Sequence, residues 1–122
     1  MKTISFCIYH NSRCSNSKQT LELLKLKTKN FIVIEYLKIK INKDNLEESL
    51  NYLDVPIHNV IRDNEISYKK MKVNKIELSV NEILELIIQN PILLQRPLVT
   101  KYVNSKAVMS IISRPPEKVG FL

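Results

Sequence analysis

The spacing of apolar positions changes along this chain, and each change marks an element. Thr3 to Tyr9 alternate and are apolar enough for a buried strand. His10 to Arg13 read as a turn. A helix is expected to start near Ser15 or Asn16. Asn16 and Gln19 have capping-box spacing there, and Leu21, Leu24 and Thr28 continue one face. Phe31-Ile32-Val33-Ile34 is an unbroken apolar run, read as a central strand extending to about Leu37. Together these pieces make a βαβ unit, which favours two parallel strands joined by a right-handed crossover.

The middle of the chain has helical spacing. Asp44 and Glu47 suggest a second capping box, ahead of Leu46, Leu50 and Leu53. Pro56 is placed to open a short helical turn before Arg62. Glu65 to Met71 are weakly helical. Ser79 and Glu82 form the third capping box, for an apolar helix through Ile83, Leu86 and Ile87 that stops before Pro91. The period then returns to that of strands, at Leu98 to Val103 and Ala107 to Ile112. Asn104-Ser105 between them suits a tight hairpin, since Asn tolerates positive φ. Arg114-Pro115-Pro116 ends the second strand, and Glu117 to Leu122 suit a short terminal helix. The order β-α-β, helical segment, β-β-α predicts an α/β fold: a mixed four-stranded sheet flanked by helices. Residues 1–122 are expected to form one domain, with a helical insertion at about 43–90.

Composition narrows the function classes. No apolar run approaches the roughly 18 residues of a membrane helix, and the start of the chain lacks a signal-peptide pattern. A cytoplasmic protein with no membrane partner is the expectation. Two cysteines, Cys7 and Cys14, do not make a disulfide framework. With two distant histidines they give no conventional metal-ligand spacing, so no metal and no bound cofactor are expected. The net charge of +7 fits an anionic ligand as readily as a compositional bias towards Lys, and nucleic acid is not the expected partner. Only four of the 19 basic residues are arginines: Arg13, Arg62, Arg96 and Arg114. A chain so rich in Lys is expected to place Arg where a planar, bidentate fork is needed.

The chemistry centres on Cys14, at the junction of strand and helix. Helix starts present unpaired N–H groups and favour negative charge, so a thiol there ionises readily. A free cysteine, with a pKa of about 8.5, is only a few per cent thiolate at pH 7. Cys7 lies inside an apolar strand and reads as a small core residue. Ser17 stands three residues after Cys14, where a Cys-x-x-Cys pair would have its second sulfur, so turnover needs an outside thiol. His10 is either a base or tuner of the thiol or an ordinary turn residue. Arg13 is expected to point outward, and His58 has no assigned role.

The run from His10 to Leu24, His-Asn-Ser-Arg-Cys-Ser-Asn-Ser-Lys-Gln-Thr-Leu-Glu-Leu-Leu, resembles the active-site start of the glutaredoxin-coupled arsenate reductases. Ile61-Arg62-Asp63, the stretch from Asn90 to Val99 and Arg114-Pro115-Pro116-Glu117-Lys118-Val119 match further signatures in order. That family has a thioredoxin-like fold. The resemblance implies that Cys14 forms a thiol–arsenate adduct and that Arg62, Arg96 and Arg114 bind the oxyanion. It implies that His10 tunes the thiol, that Ser15 and Ser17 contact substrate, and that Pro97 is a cis proline beside the cysteine. Glutathione would act as co-substrate and glutaredoxin as the reducing partner. Departures are Ser12, where Pro is commonest, and Lys18, where Arg is common. Two other functions fit the same scaffold: a regulatory protein that binds RNA polymerase, and a glutathione-dependent thiol reductase with another substrate.

Overall fold

A computed structural model describes residues 1–122. Strand β1 (Ile4–Tyr9) leads to helix α1 (Ser15–Lys27) and strand β2 (Phe31–Ile34). Helices α2 (Lys43–Asn51), α3 (Ile66–Met71) and α4 (Val80–Gln89) follow, then strands β3 (Leu98–Val103) and β4 (Lys106–Ile112). Single 3-10 turns occupy Ile57–Val60, Lys75–Glu77 and Pro91–Leu93, and a longer one closes the chain at Pro116–Phe121. The sheet has four strands in the order β2-β1-β3-β4. β1 and β2 run parallel, while β1–β3 and β3–β4 are antiparallel. This is the mixed sheet that the element order predicts.

The alternation in β1 builds two cores. Phe6 and Ile8 face Leu24 of α1, with Val99, Ile111, Val119 and Leu122. Cys7 and Tyr9 face the opposite way, against Leu46 and Leu50 of α2 and Ile83, Leu84 and Ile87 of α4. Side chains of opposite parity on one strand therefore hold both layers of helix to the sheet. Each fully buried Leu or Ile contributes about 1.5–3 kcal/mol. Leu24, Leu46, Ile83, Leu84 and Ile87 have no solvent exposure, so α1, α2 and α4 are fixed by their apolar residues.

Local signals are kept in some elements and replaced in others. Ser79 and Glu82 form a complete reciprocal capping box on α4. Asn104 and Ser105 take φ of 51° and 66° in the β3–β4 hairpin, as the turn requires. The other two capping boxes do not form. Cys14 stands at the N-cap position of α1 without a side-chain cap bond, and Asn42 caps α2 by accepting from the Asn45 N–H. Asn42 starts α2 early enough to put Asp44 inside its first turn, where a carboxylate still favours the dipole. Leu53 falls beyond the end of α2 and instead bridges to Ser110.

β2 is an edge strand rather than a central one, and it ends at Ile34. Ile32 is 62% exposed and Val33 40% exposed, so their apolar run reflects β propensity more than burial. The terminal segment is a 3-10 turn rather than an α-helix. No helix is long and apolar enough to cross a membrane.

Candidate active site around Cys14

The site lies at one end of the sheet. β1 delivers His10, the start of α1 delivers Cys14, the approach to β3 delivers Arg96 and Pro97, and the exit from β4 delivers Arg114. The loop between β1 and α1 is closed by its own backbone, with the Cys14 N–H donating to the Asn11 carbonyl at 3.0 Å. The Asn11 side chain accepts the Arg13 N–H at 2.9 Å.

Cys14 is the N-cap residue, with extended backbone and its carbonyl accepting from the Lys18 N–H at 2.9 Å. As a neutral thiol it makes no capping hydrogen bond, and the first turn holds no acidic side chain. An N-cap acceptor ordinarily takes the N–H of the second or third helical residue. Those residues here are Asn16 and Ser17, and their amides are the ones that stabilise the ionised sulfur. The thiolate thus completes the cap that the neutral chain lacks.

Two guanidiniums reach the sulfur. Arg114 Nη1 lies 3.9 Å from Cys14 Sγ and also donates to the Arg96 carbonyl at 3.0 Å. Arg96 lies near enough to favour the thiolate, as a donor to the ionised sulfur and as a charge. Burial alone would raise the Cys14 pKa, but the Ser17 amide, Arg96 and the Asn16 amide outweigh it, and the net shift is downward. Cys7 has no such partners, and burial pushes it up to about 12.

The third arginine, Arg62, is held by partners of its own. Ile61 bridges to Leu94, the Arg62 N–H donates to the Leu93 carbonyl at 2.8 Å, and the Gln95 N–H donates to the Val60 carbonyl at 2.7 Å. This short ladder sets Arg62 beside Gln95. Arg62 Nε donates to Glu65 Oε1 at 3.1 Å and its Nη1 to Gln95 Oε1 at 2.7 Å. Gln95 Oε1 also accepts the Arg96 N–H at 3.3 Å, tying the two arginines together through one amide. Arg96 and Arg114 act on Cys14 directly, and Arg62 joins them through Gln95 and, with Arg96, acts on Tyr36.

Ser17 differs most from expectation. Its side chain is fully buried and taken up by partners within the chain. Its Oγ lies 2.6 Å from His10 Nδ1 and accepts the Asn11 N–H at 3.0 Å. Only the Ser17 amide faces the sulfur. His10 is buried, and burial lowers its pKa, against an opposing effect of Glu35. It reaches Cys14 through Ser17 and the helix start, not by direct contact. Ser15 is exposed at the first helical position, and Arg13 is exposed as expected. Arg96–Pro97 is a cis peptide, in line with the resemblance, and Arg114–Pro115 is a second one.

Sequence reasoning missed Tyr36 and Gln95. Tyr36 falls within the strand expected to run to about Leu37, but β2 ends at Ile34 and Tyr36 lies just beyond it. It is buried, and its phenol responds to Arg96, Arg62 and Cys14. Nothing in the local pattern separates it from an ordinary core aromatic. Gln95 could have been suspected from its place in the Asn90–Val99 stretch, beside Arg96.

Residues 9–119 match the ArsC family. The chain belongs to that family. Among relatives of this ArsC chain, an uncharacterised protein of Escherichia coli K12, YfgD, is 35% identical over 113 residues, covering 92% of this chain and 91% of its own. An arsenate reductase of Haemophilus influenzae is 31% identical over 117 residues, covering 95% and 97%. The solved structure of an arsenate reductase from Vibrio cholerae superposes with a TM-score of 0.79 at 29% identity, covering 98% of each chain. The thioredoxin-like architecture of the ArsC family and the observed sheet order agree.

Proposed function

We propose that this chain reduces arsenate to arsenite by way of a covalent adduct on Cys14, with glutathione and glutaredoxin as the reducing partners. The observation that carries the reading is a thiol lowered in pKa at a helix N-cap, with Arg96 and Arg114 directed at it. Relatives named arsenate reductase over nearly the full chain support the choice of substrate.

Arsenate, by analogy with phosphate, carries about −1.5 to −2 charges near neutrality. It would repel a thiolate in the absence of cations. Arg96 and Arg114 offset both charges, and guanidinium forks suit tetrahedral oxyanions. The Cys14 sulfur attacks arsenic(V) and an oxygen leaves as water, forming an S–As bond. A glutathione thiolate then attacks the Cys14 sulfur. The S–As bond breaks with its electron pair remaining on arsenic, which departs as arsenite. Cys14 is left in a mixed disulfide with glutathione, and a glutaredoxin thiol reduces it by exchange. Two thiols have become one disulfide as arsenic gains two electrons. A reducing, cytoplasmic setting supplies both thiols.

His10 acts as a positioning residue, holding Ser17 so that its amide addresses the sulfur. The position of Ser17 favours this chemistry over an internal disulfide switch, because no second sulfur stands there and the Ser17 hydroxyl is occupied by His10.

The test is a coupled assay with arsenate, glutathione and glutaredoxin. Arsenite should form and should vanish in Cys14→Ser. Glutathionylation of Cys14 at the same rate with and without arsenate, and no arsenite, would replace this reading with a thiol reductase of another substrate.

A further inference from the structure

Three buried polar atoms beside Cys14 have no hydrogen-bond partner: Tyr36 Oη, Arg96 Nε and Arg96 Nη1. Tyr36 is 1% exposed, so no solvent serves its hydroxyl from the surface. Buried polar groups are almost always paired, and leaving one unpaired costs free energy. Three orphans in one place mark a missing partner.

The chemistry of the atoms says what the partner is. A guanidinium N–H can only donate, and a phenol can donate through its O–H. Tyr36 and Arg96 are close enough that the guanidinium acts on the ionisation of the phenol. The guanidinium is a loose donor neighbour of the phenol oxygen, but neither that oxygen nor Arg96 Nε and Nη1 reach hydrogen-bond distance and angle with any group of the chain. What satisfies all of them is an acceptor with several oxygens. The Cys14 thiol and Arg62 also act on Tyr36, so its hydroxyl end is on the side of the site. Burial raises the phenol's pKa and keeps it a donor at neutral pH.

We propose that the Tyr36 hydroxyl donates a hydrogen bond to an oxygen of the oxyanion that Arg96 holds beside Cys14, which makes Tyr36 a substrate-binding residue. The assignment rests on the oxyanion reading above. It gives the site a neutral donor from the buried core beside the charged fork of Arg96. It also explains why an aromatic residue with a polar tip is buried where Phe would pack equally well.

Tyr36→Phe removes one oxygen that has no partner in the free protein, so the fold is retained. Its thermal midpoint without anion should be equal to or slightly above that of the wild type. The measurement is protection of Cys14 from iodoacetamide by inorganic phosphate and by arsenate, without glutathione, read by mass spectrometry at Cys14. The half-protecting anion concentration should rise about tenfold in Tyr36→Phe, as loss of a hydrogen bond to a charged group gives. The pH profile of alkylation without anion should overlay that of the wild type. Equal protection of both proteins would overturn the assignment. So would a displaced pH profile without anion, which would make Tyr36 a positioning residue acting through Arg96. No protection of the wild type by either anion would overturn the oxyanion reading and this assignment with it.

Discussion

Cys7 and Cys14 are the same side chain seven residues apart, and the fold sends them in opposite directions. Cys7 is held in β1, sealed between the sheet and the α2–α4 layer, and its pKa is pushed up to about 12 by burial. Cys14 is one loop further on, at the cap of α1, and its pKa is lowered despite partial burial. Desolvation acts on both. What separates them is a set of donors: two helix amides and the Arg96 guanidinium at Cys14, and no counterpart at Cys7. Reactivity here belongs to the end of the sheet and not to the thiol.

The comparison breaks most completely if Cys14 is removed. Cys14→Ser should abolish arsenite formation and leave essentially no thiol that alkylates at neutral pH, since Cys7 is both buried and protonated. Rapid labelling of the variant would mean that Cys7 is not the inert partner described.

Removing a donor should pull the two cysteines closer together. A hydrogen bond to a charged group is worth about 1.5–3 kcal/mol. Arg96→Ala should therefore lower the thiolate fraction at neutral pH by about tenfold or more. Arg114→Ala should have a smaller effect on the free thiol, because Nη1 stands 3.9 Å from the sulfur. The pH dependence of alkylation in each variant checks the order. A larger effect from Arg114→Ala would reverse the assignment of the dominant guanidinium.

His10 gives a pH signature. Burial lowers its pKa, so the folded state prefers the neutral imidazole that bonds Ser17. An unfolded histidine takes up a proton near pH 6.5, above the lowered value of the buried one. The stability that neutral His10 contributes is complete above that value and is lost as pH falls below it towards the lowered folded value. Thermal midpoints measured from about pH 7.5 down to pH 5 should fall for the wild type and fall less for His10→Gln. Equal slopes would remove His10 from the account.

The smallest effect sits at Cys7. Cys7→Ala should cost about 1 kcal/mol of stability through lost packing and leave the Cys14 alkylation profile unchanged. Denaturant unfolding and the same labelling experiment measure the two halves of that statement.

Element order, the βαβ unit, the hairpin and the α4 cap were all legible in the sequence, because each rests on short-range spacing. Cys14, Arg96 and Arg114 could be named for the same reason, since each sits in a run of distinctive neighbours. What could not be read depends on distant pairing. The edge position of β2 is decided by β3 inserting on the other side of β1, which no local pattern encodes. Thr100 joins Ser49 and Ser110 in a buried polar cluster at 2.8 Å each, from three separate elements. Arg62 looked equivalent to the other two arginines until Glu65 and Gln95 were placed beside it. The inward turn of Ser17 follows from His10 being buried at the end of β1, and the role of Tyr36 from atoms left without partners.

Ionisation of Cys14 by converging donors can be measured directly by following its alkylation rate from about pH 5 to pH 10 in the full chain, resolved from Cys7 by mass spectrometry. The midpoint should lie below the ordinary thiol value of about 8.5 and should rise in Arg96→Ala. A midpoint at or above that value, unmoved by loss of Arg96, would contradict the account.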